Sequence, residues 1–533
     1  MRRRTFAALA LPALILLAGP AAPGPPAVAA GPAAVVAPVP LRVMTLNVFY
    51  GGDELNLTSG NWCNRPDGCA ETLSAVVNVI RASGADVVGL EEAERNTRPI
   101  AEALGWFHSE RTQFISRYPL IDPPGGDGVY IFARISPGRI VALANVHLPA
   151  DPYGPYLVRD GAALDEVLAL EDSLRLPAIE DQLRVLPPLA AAGIPVFLVG
   201  DFNTPSHLDW TASVPAVRPE VRYPVAWPVS VALADAGFRD SYRVVHPDPV
   251  AVPGFTWTPG GPESVPDEVH DRIDWVLVAG PAVPRTSVVV GEGGGPDVGI
   301  AVDPYPTDHR GVVTTFDVTP AAPPVLVAVA ARRLSVGDDL AVLFHAPGRQ
   351  GEQVGVVPAG SAVSGAAALR STGGGADGTV VFPTPGFDPG AYEAVLIDAR
   401  GRILSRNPFR LYAPGAPTLV ATARSEYAPG EPIDVSWSNA PGMRWDWLGI
   451  YAPGDSDSGP VASSCNAGCY SNGRYLLYEY TRTAVEGTAT LGAQSPPGVV
   501  TWPLSSGTYE IRLLLDDGYR SVASSPPFKV TRP

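Results

Sequence analysis

The sequence is poor in positive charge, in cysteine and in long apolar segments, and each shortage excludes something. Among its 38 basic residues Lys529 is the only lysine, and 54 acidic residues leave a formal net charge of −16. Proteins that bind nucleic acid by neutralising its phosphates usually carry the opposite balance, so that class is disfavoured. Hydrophobic residues still make up 46% of the 533 residues, which excludes a wholly disordered chain.

Long apolar runs are equally scarce. Three arginines precede an apolar run from Phe6 to Ala18, and small residues follow as far as Ala29. The run is well short of the ~20 residues of a spanning helix and is typical of a signal peptide. We therefore expect residues 1–29 to be cleaved, residues 30–40 to be a linker, and the protein to be secreted without stable membrane insertion. The arginines also resemble a twin-arginine export signal, so both that route and the Sec route stay open.

Cysteine is limited to two close pairs, Cys63 with Cys69 and Cys465 with Cys469. In an oxidising compartment this pattern predicts two local disulfides. The alternative is a four-thiolate zinc site. It would need the two pairs to meet across most of the chain, and their spacings differ from the two-residue zinc knuckle.

Helix-like and strand-like patterns alternate between residues 41 and 318, which predicts an α+β domain with layered sheets rather than a doubly wound parallel sheet. A helix is expected over Glu71–Arg81, and the stretch Leu164–Ala192 is expected to be helical but broken at prolines 177, 187 and 188. The predicted strands are Val43–Val48, Val87–Leu90, Val129–Ile135, Ile140–His147, Val196–Val199, Ile273–Val278 and Val312–Val318.

After Pro320 helical periodicity nearly vanishes and an internal repeat begins. Leu448–Gly454 parallels Val354–Gly360, and Gly507–Glu510 parallels Gly390–Glu393. The repeat predicts two all-β, immunoglobulin-like sandwiches at 326–412 and 416–532. In the second, Trp447–Tyr451 with the later Gly-x-Tyr resembles SKICH-type modules. A cell surface, a glycan or another protein all stay open as ligands of these modules.

Polar side chains follow the ends of several predicted strands. A carboxylate or histidine directly after a buried strand lies at the rim of a sheet, where the strand fixes it and solvent still reaches it. Each one alone is more often a turn, cap or structural residue. Together, in this order, they predict one catalytic site, formed by Asn47, Glu92, His147, Asp201, Asn203, Asp274, Asp308 and His309.

These strings resemble the endonuclease/exonuclease/phosphatase superfamily, the deoxyribonuclease I-like fold, over about residues 41–318. The resemblance implies a four-layer α/β/β/α sandwich that hydrolyses phosphoesters. The sequence departs from the family pattern at Glu91, where many relatives have Gln, and at Thr307, where Ser is common. The matching strings are Leu46–Asn47, Leu90–Glu92, Ser116–Pro119, Val146–Leu148, Gly200–Asn203, Arg272–Asp274 and Thr307–Gly311.

The resemblance and the chemistry agree on a metal site. Carboxylate and amide oxygens suit a hard divalent cation such as Mg²⁺, with Ca²⁺ or Mn²⁺ as alternatives, better than zinc. The expected ligands are Glu92, Asp308 and Asn47. The ion would polarise the phosphate and help to hold the leaving oxygen.

The remaining residues have expected roles in water attack. Asp201 would orient or deprotonate the water and Asn203 would help to place it. His309, held by Asp274, would stabilise the charged transition state or act as an acid. His147 would donate to a second phosphoryl oxygen.

Specificity is expected to come from rim loops. The candidate substrate-binding residues there are Tyr153, Tyr156, His207, Trp210 and Trp257, and the aromatic ones fit stacking on substrate and loop packing equally well. The acidic chain favours a small phosphate mono- or diester as substrate. An extracellular nuclease, a sphingomyelin-type phosphodiesterase and a surface-binding protein with a non-catalytic first domain are the alternatives.

Overall fold

The computed structural model describes residues 37–457 except 64 and 66, residues 474–496 and residues 502–531. The strands before residue 320 are β1 Val39–Asn47, β2 Leu55–Asn56, β3 Asn61–Trp62, β4 Val87–Glu91, β5 Phe107–Ser109, β6 Phe114–Ser116, β7 Leu120–Ile121, β8 Ile131–Ser136, β9 Arg139–His147, β10 Val196–Asp201, β11 Arg239–Asp240, β12 Asp274–Ala279, β13 Ala282–Gly291, β14 Val298–Ala301 and β15 Gly311–Val318.

The α-helices of the same region are α1 Ala70–Ser83, α2 Thr97–Leu104, α3 Gly154–Asp160, α4 Leu164–Leu174, α5 Glu180–Ala191, α6 Pro228–Asp235, α7 Ser241–Val245 and α8 Gly261–Ser264. Short 3₁₀ turns lie at Tyr50–Gly52, Pro177–Ile179 and Val214–Ala216.

Two sheets face each other in this region. One has the strand order β14-β13-β15-β1-β4-β6-β5 and the other the order β11-β12-β10-β9-β8-β7. Alternate residues of the central strands, such as Val43 and Phe197, pack between the sheets. Helices α1 and α2 cover the outer face of the first sheet, and α5 and α6 cover that of the second. The predicted α/β/β/α sandwich is therefore confirmed.

The central strands are apolar on both faces, which is why the sequence shows them as continuous apolar runs. In β1, Val43 packs between the sheets while Met44 and Leu46 pack under α1. Helix α1 ends at Gly84, whose φ of +64° is the left-handed conformation that glycine adopts readily.

Two expectations about boundaries differ from the structure. Helix α5 continues through Pro187 and Pro188, so the predicted break there is wrong. Each proline removes a backbone donor, but the helix is held by packing against the second sheet, where Leu186 is fully buried. The first strand begins at Val39, inside the stretch predicted as linker. The predicted signal peptide, residues 1–29, lies outside the described residues.

The chain after residue 320 is rich in strands and holds multiple sheets. Its strands are β16 Leu326–Val329, β17 Arg333–Ser335, β18 Asp339–His345, β19 Gln353–Pro358, β20 Ala368–Ser371, β21 Asp377–Pro383, β22 Gly390–Ile397, β23 Ile403–Tyr412, β24 Leu419–Thr422, β25 Glu426–Tyr427, β26 Ile433–Ser438, β27 Trp447–Tyr451, β28 Tyr478–Tyr480, β29 Glu486–Leu491, β30 Gly507–Leu514, β31 Ser521–Ser524 and β32 Phe528–Val530, with a 3₁₀ turn at Val363–Gly365.

These strands agree with the predicted pair of β-sandwiches. Strands β16–β23 form the sheets β16-β18-β21 and β17-β23-β22-β19-β20, which we call the first β-module. Strands β24–β32 form β24-β26-β29 and β25-β32-β30-β27-β28, with β31 paired to β30, and are the second β-module. Each pair of sheets encloses its own apolar cluster. The domain limits 326–412 and 416–532 remain predictions.

Cys63 and Cys69 form a disulfide just before α1, as the sequence predicts. Their bonding removes two thiolates from the alternative zinc site. The other predicted disulfide, Cys465 with Cys469, lies outside the described residues. Among the described helices, none combines the length and apolar character needed to cross a membrane.

Candidate active site

Strand pairing brings the predicted residues to one end of the two sheets. In the parallel pair β1 and β4, Asn47 lies beside Glu91. On β10, Asp201 lies between His147 of the parallel strand β9 and Asp274 of the antiparallel strand β12. The backbone register therefore fixes five polar side chains at the rim before any loop is considered.

Two loop residues adopt the left-handed conformation directly after these strands, Glu92 with φ of 56° and Asn203 with φ of 49°. Such backbone conformations are uncommon outside glycine and often mark functional sites. Asn203 donates its backbone N–H to Asp201 Oδ1 at 2.9 Å and its side-chain amide to Leu148 O at 2.9 Å. These bonds hold the loop against the end of β10.

The carboxylate of Asp201 is the centre of the site, and it is 1% exposed. Its Oδ2 accepts a hydrogen bond from Asn47 Nδ2 at 3.1 Å. The same oxygen lies 3.7 Å from His147 Nε2 and 3.6 Å from His309 Nε2. Burial raises the pKa of Asp201; His309 lowers it and Asp274 raises it further.

His309 is held by the carboxylate of Asp274, with 3.0 Å between Nδ1 and Oδ2. Burial alone would lower the pKa of His309, but the charges of Asp274 and Asp201 outweigh burial and raise it well above its usual range. With Nδ1 held by Asp274, the other ring nitrogen, Nε2, faces Asp201 Oδ2 at 3.6 Å. The Trp257 ring lies 4.8 Å from it, centroid to centroid.

The three predicted metal ligands lie in this cleft, but they differ in what they offer. Glu92 Oε2 accepts from the Tyr50 backbone N–H at 2.9 Å, and Oε1 accepts from Asn47 Nδ2 at 3.2 Å. The amide oxygen of Asn47 accepts from Phe49 N at 3.0 Å, so its N–H₂ group faces the carboxylates. In this arrangement the Asn47 amide N–H₂ donates to the carboxylates, and its role as an oxygen ligand stays a prediction.

Asp308 reaches the site through a turn that is tied to β1. Its neighbour Thr307 donates Oγ1–H to the carbonyl of Asn47 at 2.8 Å. The Asp308 carbonyl accepts from Thr258 at 2.9 Å, and its charge contributes to the raised pKa of His309.

The donor set fits a hard divalent cation. Asp201, Asp274 and His309 place one potential ligand atom each within 4.8 Å of one another, which makes them a candidate metal site. The neighbouring Glu91 is fully buried, and burial together with the charges of Asp274 and Asp201 raises its pKa well above the usual range. Carboxylates crowded in this way repel one another, and a bound cation would relieve that repulsion.

The predicted substrate-binding residues divide into two groups. Trp210 is 1% exposed and Tyr153 7% exposed, and both donate to Asp271, at 2.8 and 3.1 Å. The burial of these two rings favours the loop-packing alternative over stacking on substrate. Trp257 and Tyr156 are half-buried, with Trp257 beside His309. His207 is half-buried and its Nδ1 lies 2.7 Å from Ser230 Oγ.

One residue of the site is missing from the sequence analysis. Asp517, in the turn after β30, places Oδ2 2.6 Å from Nδ1 of His147. Burial alone would lower the pKa of His147, but this hydrogen bond and the charges of Asp517, Asp201 and Glu92 raise it to about 10. Asp516–Asp517–Gly518 reads as an ordinary hairpin turn, and it lies 370 residues from His147, so no local signal identifies it.

Comparisons with known proteins identify the family. The family model described as the endonuclease/exonuclease/phosphatase family matches residues 44–309. An uncharacterized protein of Caenorhabditis elegans is 31% identical over 271 residues, which are 46% of this chain and 80% of that protein.

Solved structures that are similar to this chain include three from different organisms. An endonuclease/exonuclease/phosphatase from Beutenbergia cavernae is 20% identical, covers 70% of this chain and 100% of its own, and has a TM-score of 0.33. An AP endonuclease from Archaeoglobus fulgidus is 15% identical over 52% of this chain and 100% of its own, with a TM-score of 0.32. A mannosyl-6-phosphatase from Bacteroides thetaiotaomicron is 14% identical over 52% of this chain and 99% of its own, with a TM-score of 0.30.

Proposed function

This chain belongs to the endonuclease/exonuclease/phosphatase family of metal-dependent phosphoester hydrolases, and we propose that it is a secreted enzyme that hydrolyses a small organic phosphate mono- or diester. The observation that carries the proposal is the position of Asp201. Its buried carboxylate lies within 3.7 Å of two histidines whose pKa values neighbouring carboxylates raise. A base flanked by two hydrogen-bond donors suits water attack on a phosphoester.

Asp201 is the proposed base. Its raised pKa makes it a better proton acceptor than an exposed aspartate. Asn203, bonded to Asp201 through its backbone N–H at 2.9 Å, is the proposed partner in positioning the same water. The water would attack phosphorus in line with the leaving oxygen.

His309 and His147 are the proposed donors to the phosphoryl oxygens. Each has one ring nitrogen bonded to a carboxylate, at 3.0 Å for His309 and 2.6 Å for His147, which leaves Nε2–H to face the cleft. Charge-assisted donors of this kind stabilise the negative charge that builds up in the transition state.

Glu92 is the proposed principal metal ligand and Asp308 the proposed second one. A divalent cation, most simply Mg²⁺, would neutralise charge on the phosphate and stabilise the leaving oxygen. Asn47 donates to Glu92 and Asp201 at 3.2 and 3.1 Å and keeps these two carboxylates at a fixed separation.

Charge supports a small substrate. The net charge of −16 opposes a polyanionic duplex, whereas one phosphate is accommodated by the two histidines and a cation. The half-buried rings of Trp257, beside His309, and Tyr156 are the proposed contacts to the rest of the substrate. The signal-like N-terminus and the Cys63–Cys69 disulfide support secretion.

A substrate panel tests the proposal. It comprises a chromogenic phosphodiester, sugar and inositol phosphates, a nucleotide, sphingomyelin, DNA and RNA, each with and without chelator. We expect turnover of small esters that chelation abolishes and Mg²⁺ or Ca²⁺ restores. Faster turnover of DNA or RNA would replace this proposal with the nuclease alternative, and activity that survives exhaustive chelation would contradict the metal.

Variants test the assigned residues. Asp201→Asn and His309→Ala are each expected to lower kcat more than about a hundredfold, within the range for loss of one acid or base group. Asp235→Asn, at an exposed position on α6, is the matched control and keeps full activity. Near-normal kcat in either site variant would contradict the assigned role.

A further inference from the structure

We propose that the second β-module is part of the active site, and that its Asp517 is a positioning residue that orients His147. The inference rests on the proposed function, because it concerns the same site. It goes further in assigning a role to a residue far outside the region that the family model matches.

The contact itself defines the role. Asp517 Oδ2 lies 2.6 Å from His147 Nδ1, while its Oδ1 accepts from the Tyr480 hydroxyl at 2.9 Å. With Nδ1 held, the imidazole plane is fixed and Nε2 faces Asp201 at 3.7 Å and Glu92 at 3.9 Å. A carboxylate on one nitrogen sets both the tautomer and the direction of the other.

The two histidines of the site are therefore held in the same way from different parts of the chain. Asp274, on β12 of the same sandwich, holds His309, whereas Asp517 of the second β-module holds His147. Within the described residues, the sandwich alone thus supplies one of the two carboxylate partners.

The turn that carries Asp517 is strained in the way functional turns often are. Asp516 and Asp517 have φ of 47° and 64°, and Gly518 N donates to Leu515 O at 2.7 Å. Two successive left-handed residues form a type I′ turn, in which both central positions have positive φ and Gly, Asn and Asp predominate. Strain of this kind persists only where the surroundings impose it.

The second β-module imposes that conformation. Asp516 N donates to Asp446 Oδ1 at 3.1 Å, and Asp517 N donates to the Trp445 carbonyl at 2.8 Å. The Trp447 indole N–H donates to the Gly518 carbonyl at 3.0 Å. The aspartate is thus presented from a rigid element, which a positioning role requires.

The same turn also contacts the Glu92 side of the cleft. A Cβ added at Gly518 would lie 2.3 Å from Glu94 Cδ, so the turn is in close contact with the loop after β4. The Tyr519 ring stacks on Tyr50 at 6.0 Å between centroids, and Tyr50 N donates to Glu92. The turn therefore contacts both His147 and the loop that carries the proposed metal ligand.

Arg111 anchors the module at a second point. Its guanidinium donates to the carbonyls of Gly442 and Thr483 at 3.1 and 2.8 Å and to Thr483 Oγ1 at 2.8 Å. Two separate contacts fix the second β-module against the catalytic sandwich, so the position of Asp517 does not depend on the turn alone.

The test compares full-length variants on the chromogenic phosphodiester. Asp517→Ala is expected to lower kcat by about 10–100-fold, the usual cost of losing a residue that orients a ligand or catalytic group. KM should change by less than about threefold, since Asp517 does not face substrate. Asp517→Glu should recover part of kcat. Asp434→Ala, at an exposed position of the same module, is the control and should leave kcat unchanged.

A double-variant cycle identifies the residue through which Asp517 acts. In a His147→Ala background, Asp517→Ala should cause no further loss, because its partner is already absent. Independent, multiplying losses would overturn the inference. So would a wild-type kcat in Asp517→Ala.

A readout without turnover separates this inference from the proposed function. In histidine-labelled protein, the downfield Nδ1–H proton resonance of His147 should disappear in Asp517→Ala while that of His309 remains. Retention of the His147 resonance would refute the positioning role even if no substrate had been found. Conversely, the His147 resonance could disappear in Asp517→Ala while Asp201→Asn keeps normal activity. That combination would contradict the proposed function and leave the positioning role intact.

Discussion

The two β-modules carry the same hairpin at the same place in their sheets, and the two hairpins have opposite surroundings. In the first β-module the turn between β22 and β23, Asp398–Gly401, is half-buried at Asp398 and exposed from Ala399 onwards. In the second, the turn between β30 and β31 has Asp516 and Gly518 buried, and Asp517 contacts His147. A duplicated fold has thus left one turn exposed and placed the other in a catalytic cleft.

The two turns also differ in backbone conformation. In the exposed turn the left-handed position is occupied by a glycine, Gly401, with φ of +79°. The buried turn places Asp516 and Asp517 in the left-handed region. The two hairpins therefore share a sheet topology but differ in backbone conformation and in what they face.

The largest expected effect comes from equivalent core phenylalanines. Phe528 and Phe409 occupy matching positions in the repeat and are 0% and 4% exposed. Replacing either with alanine should cost about 3–5 kcal/mol of its module's stability, because a large buried cavity is created. Urea unfolding and kcat should show that Phe528→Ala lowers both, whereas Phe409→Ala lowers stability alone. Equal kcat in the two variants would contradict the inference that only the second β-module contributes to the active site.

The arginines that tie each module to the sandwich should show a smaller effect of the same kind. Arg111 bonds the second β-module, and Arg332 bonds Asp122 at 2.8 Å from the first. Loss of either set of charged hydrogen bonds should cost about 1.5–3 kcal/mol. Asp122 keeps its other arginine in both variants, so no charge is left unpaired.

Steady-state kinetics distinguish the two arginine variants. Arg111→Ala should also lower kcat, since it loosens the module that holds His147, and Arg332→Ala should not. A drop in kcat for Arg332→Ala alone would reverse the assignment of the modules.

The turn glycines sharpen the comparison further. Gly518→Ala introduces a Cβ 2.3 Å from the Glu94 side chain, so the hairpin or that side chain must shift, and kcat is expected to fall several-fold. Gly401→Ala meets no atom within 4 Å but has φ of +79°, so it should cost about 1 kcal/mol of stability and leave kcat unchanged. Thermal unfolding paired with steady-state kinetics separates the two outcomes.

The smallest expected effect is on how the free energy of unfolding changes with pH. One aspartate in each turn contributes to it, Asp516 and Asp398, and their contributions have opposite signs. Burial and the charge of Asp446 raise the pKa of Asp516 well above its usual value, while Gln113 opposes the shift. The folded state therefore holds a proton that the unfolded chain loses near pH 4, so this residue's contribution to stability falls as pH rises. Asp516→Asn should remove that fall in urea titrations at several pH values.

Asp398, in the exposed turn of the first β-module, is the aspartate for comparison. Its hydrogen bonds from the backbone and side chain of Arg402 lower its pKa, so its contribution is present above the usual pKa of an aspartate and is lost as pH falls. Asp398→Asn should therefore reduce stability mainly above pH 4. If both substitutions changed the pH dependence of the unfolding free energy in the same direction, the opposite pKa shifts assigned to Asp516 and Asp398 would be contradicted.

The catalytic sandwich was largely predictable because its signals are local. Apolar runs such as Val196–Val199 end in polar residues at the point where each strand meets the rim, and parallel or antiparallel pairing then brings Asp201 between His147 and Asp274. The burial of Trp210 and Tyr153 was not predictable, because an aromatic residue in a loop has the same sequence signature whether it faces substrate or Asp271.

The amino-acid sequence by itself determined the family, the α/β/β/α sandwich, the two β-sandwiches and most of the residues at the catalytic rim. Only the tertiary structure decided that Asp517 is the partner of His147 and that Asn47 turns its N–H₂ towards Glu92 and Asp201. The physical reason is the distance along the chain over which each signal acts. Periodicity and strand-end chemistry act over a few residues, whereas the position of a module 370 residues away depends on surface contacts that leave no pattern in the chain.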